Sequence, residues 1–188
     1  MSYLPPVTYL PHDAPMLLLE SVERVTDDTA VCRVAVNRQS VLAPFLNAEG
    51  DLPGWYALEL MAQTVGVWSG WHRQQQGQDH IALGMVLGAR ELVCASGYFT
   101  AGATLEITVK LLMQDERFGS FECAITAGDK VLATGRVNTF QPSAEELTSL
   151  FNQGLNACLR HKNHQHTQNN KSDAHQTLPG ELFLPAGQ

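Results

Sequence analysis

The sequence has little positive charge, few cysteines and no long uninterrupted apolar segment. Twelve Lys and Arg stand against 19 Asp and Glu, for a formal net charge of −7, so the chain has no overall basic field with which to bind nucleic acid. Its four cysteines lie far apart and form no CxxC pair. This spacing predicts reduced, mostly buried thiols and disfavours both a zinc site and a disulfide lattice.

The N-terminal residues, Met-Ser-Tyr-Leu-Pro-Pro, lack the basic flank and the continuous apolar stretch of a secretory signal. We therefore expect a cytoplasmic location. At 188 residues, with 44% hydrophobic and 16% charged residues, the chain has the composition of a globular enzyme. Its length favours one domain with an appendage.

Residues 52–76 are predicted to form one long helix, because apolar side chains recur at helical spacing between a Pro-Gly pair and a run of glutamines. These apolar residues fall on nearly every side of the helix, which predicts that protein surrounds it. Glu59 and Gln63 interrupt the apolar pattern, and neither is readily tolerated in a membrane span. Gly66 and Gly70 lie one turn apart and would allow a neighbouring sheet to approach closely.

Strand-like patterns precede and follow this helix. The apolar run at 16–19 and the alternation at 29–36 predict a hairpin, and several strand-like runs separated by Gly-containing turns follow the helix. The clearest strand is 104–112, and residues 127–130 (Ala-Gly-Asp-Lys) are typical of a hairpin turn. These patterns predict an α+β fold in which an antiparallel meander curls about one buried helix, with two such sheets paired edge to edge.

The chain beyond the predicted meander has a different composition. Ser143 and Glu146 stand in capping-box relation, which predicts a helix over residues 143–160. Residues 161–188 are rich in His, Asn and Gln and poor in aliphatic side chains, so we expect a disordered polar tail. Histidines in such a tail would bind a metal only weakly, and we predict no metal site.

Glu59 is the strongest candidate for chemistry. A lone carboxylate in the middle of an apolar helix is desolvated, which favours its neutral form and suits general acid or base catalysis. Gly54 opens the same helix, where a free backbone N–H can polarise a carbonyl group of a thioester or ketone. Two alternatives stay open: the Glu59 carboxylate can instead fix packing through a backbone donor or an arginine, and Pro53-Gly54 can simply start the helix.

Two segments resemble those of a known enzyme family. Residues 10–22, LPHDAPMLLLESV, resemble the opening of the hotdog-fold 3-hydroxyacyl-[acyl carrier protein] dehydratases of type II fatty acid synthesis. Residues 53–67, PGWYALELMAQTVGV, resemble the central helix of that family, which has Pro-Gly, four residues, an acidic residue and then Met-Ala-Gln. The resemblance covers roughly residues 8–142, and the sequences of both segments are most similar to those of the accessory dehydratase subunit of aryl polyene pigment synthesis.

The resemblance implies a hotdog fold over residues 1–142, in which an antiparallel sheet wraps around one long central helix. It implies that two such domains form a dimer with one continuous sheet and with active sites at the interface. The substrate would be a 3-hydroxyacyl chain on acyl carrier protein, which loses water to give a trans-2-enoyl thioester. We therefore expect acyl carrier protein and a second hotdog subunit, identical or different, as partners. No cofactor is expected beyond the phosphopantetheine arm that carries the substrate.

The resemblance also implies roles for individual residues. Glu59 matches the catalytic carboxylate, and Gly54 matches the amide that polarises the thioester carbonyl. A glutamine one turn beyond Glu59 matches a supporting glutamine of the family motif. The substrate-binding residues are predicted at four positions: Asn47, Pro53, Gln63 and Gly88.

One residue of the family pattern is missing. The family carries a catalytic histidine in a loop shortly before the Pro-Gly pair, but residues 44–54, PFLNAEGDLPG, contain no histidine, and Asn47 falls at its position. Asparagine does not titrate and so cannot be the general base. Three hypotheses follow: His12 or another residue takes the role; the chain is inert alone and completes its site with a second hotdog subunit; or the chain is a non-catalytic or thioesterase-like binder of acyl thioesters.

Overall fold

The computed structural model describes residues 2–11, 14–78 and 85–143, together with the short stretches 145–146, 148–149 and 152–153. In this part of the chain, a six-stranded sheet packs on one long helix, and a two-stranded sheet stands beside the start of that helix. The elements are β1 (Ser21–Val25), β2 (Thr29–Ala35), β3 (Leu52–Pro53), α1 (Tyr56–Gln75), β4 (Met85–Cys94), β5 (Tyr98–Phe99), β6 (Thr104–Gln114), β7 (Phe118–Ala127) and β8 (Lys130–Phe140), with short 3-10 turns at Pro6–Thr8 and Ala43–Phe45.

The large sheet has the order β1-β2-β6-β7-β8-β4, and all its neighbouring strands are antiparallel. The strand predicted at 104–112 is confirmed as β6, in which Leu105, Ile107 and Val109 are fully buried. Because strand side chains alternate between faces, these three residues share the face that contacts the helix. The predicted hairpin turn is also confirmed: Gly128, with a φ of 58°, and Asp129 join β7 to β8.

Helix α1 begins later than the sequence predicts. It starts at Tyr56 rather than at residue 52, because Leu52 and Pro53 form β3 and pair with β5 in the small sheet. Pro53 therefore ends a strand, and Gly54 lies in the turn just before the first helical turn. No helix within the described ranges combines the length and the apolar composition that a membrane crossing requires.

The two sides of α1 are covered by different parts of the chain. On one side the helix contacts the large sheet, where the Trp68 ring lies 5.4 Å from the Phe121 ring of β7. On the other side, a Cβ atom at Gly70 would overlap the backbone of Tyr9, and one at Gly66 would overlap the end of a leucine side chain in the same N-terminal segment. The predicted approach of a sheet to these two glycines is therefore wrong, since residues 9–10 make the close approach.

The open edge of the large sheet is formed by β4 in the described part of the chain. Val93 on this strand is 61% exposed and Leu92 is 39% exposed. The opposite edge strand, β1, presents the exposed charged residues Glu23 and Arg24, which discourage pairing with another strand. The β4 edge presents exposed Arg90 and Glu91 as well, but its exposed Leu92 and Val93 make it the edge better suited to extension of the sheet.

The chain divides into two compact units, residues 1–142 and 143–188. In the second unit, the N–H of Ser143 donates to the carboxylate of Glu146 at 2.8 Å, and the N–H of Glu146 donates to the hydroxyl of Ser143 at 3.3 Å. These reciprocal bonds form a capping box. The remainder of the helix predicted over 143–160 and the tail predicted over 161–188 lie outside the described residues.

Candidate active site

Glu59 lies in the first turn of α1, where it lines a cavity of about 190 Å³. The other walls of the cavity are the N-terminal residues 9–11, the turn 114–117 between β6 and β7, and adjoining residues of β7 and β8. Glu59 itself is half-buried. The structure therefore places the predicted catalytic carboxyl group beside a space that an acyl chain can occupy.

Gln63 ties Glu59 to the N-terminal segment. Its Nε2 donates to the Oε1 atom of Glu59 at 3.0 Å and to the backbone oxygen of Met16 at 2.7 Å, while its Oε1 accepts the N–H of Leu18 at 2.9 Å. The side chain is 1% exposed. In this structure Gln63 is buried and its polar atoms bond to protein, which suits a positioning role; its predicted contact with substrate stays a prediction.

We expect Gln63→Leu to lower the free energy of unfolding by about 1–3 kcal/mol, since the buried N–H of Leu18 and the backbone oxygen of Met16 lose their partner. The measurement is urea unfolding followed by circular dichroism. Gln75→Leu, on an exposed turn of the same helix, is the control and should change stability by less than about 0.5 kcal/mol. Equal effects of the two substitutions would contradict the positioning role.

The backbone N–H of Gly54 is hydrogen-bonded rather than free. Its N–H donates to the backbone oxygen of Gly97 at 2.8 Å, and the residue is buried. A Cβ atom at position 54 would lie 2.9 Å from the same oxygen, so the close approach of the two backbones requires glycine. The N–H of Gly54 is thus bonded within the protein in this structure, and its role toward a thioester carbonyl stays a prediction.

Asn47 closes a turn. Its side-chain Oδ1 accepts the N–H of Asp51 at 2.9 Å, and its backbone oxygen accepts the N–H of Gly50 at 3.1 Å. The carboxylate of Asp51 accepts the N–H of Ala101 at 2.7 Å, which fastens the turn to the chain before β6. The structure thus uses Asn47 for local structure, and Asn47 does not belong to the described lining of the Glu59 cavity.

The other predicted site residues lie at three places. Pro53 is half-buried and pairs with Tyr98 in the small sheet. Gly88 on β4 lines a separate cavity together with Phe118, so it is not beside Glu59. His12 lies outside the described residues. Of the predicted site residues, the described structure brings only Glu59 and Gln63 into contact.

Arg73 lines the same cavity as Glu59 but is not among the residues predicted from the sequence. The cavity face of the helix is formed by Val65 and by a stripe of five residues: Glu59, Ala62, Gly66, Ser69 and Arg73. The positions of the stripe are spaced alternately three and four residues apart, which is the spacing of one helix face. That spacing is visible in the sequence and would have pointed to Arg73.

An antiparallel sheet that wraps around one long helix defines the hotdog class of proteins. Similar solved structures confirm the predicted hotdog fold. The structure of zebra fish thioesterase superfamily member 2 matches with a TM-score of 0.50 at 18% identity, over 65% of this chain and 80% of that one. A hypothetical thioesterase from Streptococcus pneumoniae matches with a TM-score of 0.50 at 16% identity, over 65% of this chain and 85% of that one. At such identities the likeness shows the fold alone.

A match to one protein family narrows the assignment beyond the fold. Residues 4–152 match the ApeP-like family, described as ApeP dehydratase, and the chain belongs to that family. A chain in the structure of the dehydratase heterocomplex ApeI:P from Xenorhabdus doucetiae is 53% identical, with a TM-score of 0.76 over 80% of this chain and 99% of that one. The prediction of a dehydratase or dehydratase subunit is thereby confirmed. Among curated proteins no match is found.

Proposed function

We propose that this chain is one subunit of a two-subunit 3-hydroxyacyl-[acyl carrier protein] dehydratase, in which it supplies Glu59 as the acid and its partner supplies the base. The heterocomplex formed by the 53% identical relative carries the proposal, and Glu59 lines the cavity in this chain. Asn47, which falls at the position of the family's loop histidine, closes a turn instead. Glu59 would supply the acid of an elimination, and the base would come from the partner.

The elimination needs two proton transfers. The base removes the proton next to the thioester carbonyl, that electron pair forms the carbon–carbon double bond, and the bond to the 3-hydroxyl breaks. Glu59 donates its proton to the departing hydroxide, which leaves as water. The carboxylate then takes a proton from solvent while the base releases its own. The hydrogen bond from Gln63 holds the carboxyl group in one orientation throughout.

Exposed apolar side chains around the Pro-Gly pair support a partner subunit at this place. Trp55, directly after the pair, is 75% exposed, and Tyr98, opposite Pro53 in the small sheet, is 49% exposed. Val93 lies nearby on the open β4 edge, one residue before Cys94, whose sulfur lies 3.6 Å from the backbone oxygen of Gly54. Aromatic and apolar groups exposed together at a sheet edge are typical of protein interfaces. A second hotdog subunit extending the sheet from β4 would cover them.

We further propose that acyl carrier protein delivers the substrate on its phosphopantetheine arm, without another cofactor, and that the reaction belongs to aryl polyene synthesis in the cytoplasm. Membership of the ApeP-like family and the heterocomplex of the 53% identical relative support this assignment. The described cysteines are free thiols, and burial raises the pKa of Cys32 and of Cys123 to about 12. Such inert thiols suit a reducing compartment.

The test is a mass-spectrometric assay of a 3-hydroxyacyl-[acyl carrier protein] with this chain alone, with a histidine-bearing hotdog partner alone, and with both. We expect loss of one water molecule only with both subunits present. Dehydration by this chain alone would overturn the shared site and direct mutagenesis to His12. Release of a free thiol without enoyl product would show a thioesterase instead.

A further inference from the structure

The face of the large sheet that points away from α1 has a notch at Gly88. Gly88 on β4 lies opposite Asn138 on β8, and two residues along the strands Arg90 lies opposite Arg136. Opposite and alternate residues of antiparallel strands share a face. Arg136 is exposed, whereas Val137 beside it is buried, so the four positions form a square on the outer face. In this square only the glycine contributes no side chain.

The notch is open space. A Cβ atom at Gly88 would have no heavy atom within 4 Å apart from its chain neighbours. The residue lines a cavity of about 460 Å³ on the outer face, together with Arg90, Ser120 and Asn138. A bulge precedes Gly88 in β4, but its φ is not positive, so the backbone there does not require glycine. A glycine inside a strand then indicates a place where a ligand approaches closely.

Asn138 presents a hydrogen-bond donor to the notch. The hydroxyl of Ser120 on β7 donates to the Oδ1 atom of Asn138 at 2.9 Å. Because this bond directs the amide oxygen toward β7, the Nδ2 group lies on the side of β4, where Gly88 stands. In the described part of the chain this Nδ2 group makes no hydrogen bond, so both of its N–H donors are available.

Arg90 and Arg136 add two positive charges at the notch. Like charges on directly opposite strand residues repel each other, and neither guanidinium forms an ion pair with another described residue. Glu122 on β7 lies opposite Arg136 and also opposite Lys110 on β6. This row of four residues across the sheet therefore has a net charge of about +2, which an anion would neutralise.

Two further carboxylates near the notch define the kind of anion. Asp115 lines the same cavity, and its carboxylate accepts the N–H groups of Arg117 and Phe118, both at 2.8 Å. Glu91 follows Arg90 in the chain and is exposed. A broad acidic surface would meet both carboxylates, whereas a compact anion seated over the glycine contacts the donors alone. The notch thus favours a small ligand over an acidic protein.

The far part of the same cavity is apolar. Met113 is 62% exposed and Phe118 is 45% exposed, and both belong to the lining. Met113 lies in one row with Ser120, Asn138 and Gly88 across β6, β7, β8 and β4, which corresponds to about 14 Å at the usual strand spacing. A ligand that matches the cavity has an anionic group over Gly88 and an apolar group toward Met113.

We propose that this notch binds the phosphate group of a soluble organic phosphate ester, whose apolar part lies over Met113 and Phe118. Two guanidinium groups and one amide offer more donors than a single carboxylate accepts, and guanidinium geometry matches phosphate oxygens in pairs. The site lies on the opposite face of the sheet from the helix and does not include Glu59. The inference therefore goes beyond the proposed function and does not depend on it.

The test titrates the full-length protein with phenyl phosphate, inorganic phosphate and benzoate at constant ionic strength, with calorimetry as the readout. We expect phenyl phosphate to bind about tenfold more tightly than inorganic phosphate, because its ring covers apolar surface. Benzoate, with one carboxylate, should bind more weakly than phenyl phosphate. Gly88→Val fills the notch but keeps both arginines, and it should weaken phenyl phosphate binding at least about tenfold. Valine suits a strand, so this variant should fold.

Two matched controls should keep the wild-type affinity. Gly97→Val adds the same side chain at another glycine with open space around it, and Arg24→Gln removes an exposed arginine from β1. Arg90→Gln should weaken binding by about fivefold to tenfold, and it tests the site even if Gly88→Val does not fold.

The proposal is overturned if phenyl phosphate does not bind, or if Gly88→Val or Arg90→Gln binds it as the wild type does. It is also overturned if Arg24→Gln weakens binding as much as Arg90→Gln, because the effect would then be one of net charge. Acyl carrier protein is titrated in parallel. Binding of that protein that Arg90→Gln abolishes and Gly88→Val leaves unchanged would replace the notch with a protein-docking face.

Discussion

Glu59→Gln is expected to lower the kcat of dehydration by about 10²–10⁴-fold while leaving the unfolding transition in place. The amide has the shape of the carboxyl group but has no proton to give to the departing hydroxide. The helix stays packed, because the side chain is only half-buried and the buried helix residues are untouched. The measurement is the single-turnover rate of water loss in the two-subunit mixture, together with urea unfolding of the variant.

Glu49→Gln makes the same chemical change at an exposed loop position and should retain the wild-type rate. If Glu59→Gln turned over at the wild-type rate, Glu59 would not be the acid. If the variant lost rate and stability together, the carboxylate would be a packing group, which is the alternative that the helix pattern alone leaves open.

Gly70→Ala should lower the free energy of unfolding by about 1–3 kcal/mol, the typical cost of overpacking. Helix propensity alone predicts the opposite sign, a gain of about 1 kcal/mol over glycine. The steric term prevails because the new methyl group would overlap the backbone of Tyr9, and the backbone cannot rotate away. Thermal and urea unfolding measure the change.

Gly66→Ala is the matched comparison. Its methyl group would meet the end of the Leu10 side chain rather than backbone, so the neighbour can rotate and the propensity gain offsets most of the cost. We expect this variant to stay within about 0.5 kcal/mol of wild type. A stabilising Gly70→Ala would show that the N-terminal segment does not press on the helix.

Local sequence patterns predict an element well where its conformation depends mainly on its own residues. The alternation of β6 and the Gly-Asp turn before β8 require no knowledge of distant residues, and the capping pair Ser143 and Glu146 is only three residues apart. The helix start was misplaced because β3 pairs with β5, more than forty residues further along the chain. A local sequence pattern does not predict a pairing between strands so far apart in the chain.

The candidate site also divides into residues that local patterns predict and contacts that depend on the fold. Glu59 was found because a single carboxylate interrupts an apolar helix, and Gln63 because the motif contains it. The partner of the Gly54 amide is the backbone of Gly97, and a backbone acceptor has no sequence signature. The sequence shows that Asn47 cannot titrate, but its bond to Asp51 depends on the folded turn.

The uncovered β4 edge has a consequence for how a cell must supply this protein. Exposed strand edges with apolar side chains pair indiscriminately, so molecules in excess of the partner would associate with one another or be degraded as orphans. Balanced synthesis of the two subunits, as from adjacent reading frames on one messenger, would avoid this loss. On the proposed function, the edge thus links the geometry of one strand to the balanced supply of two subunits.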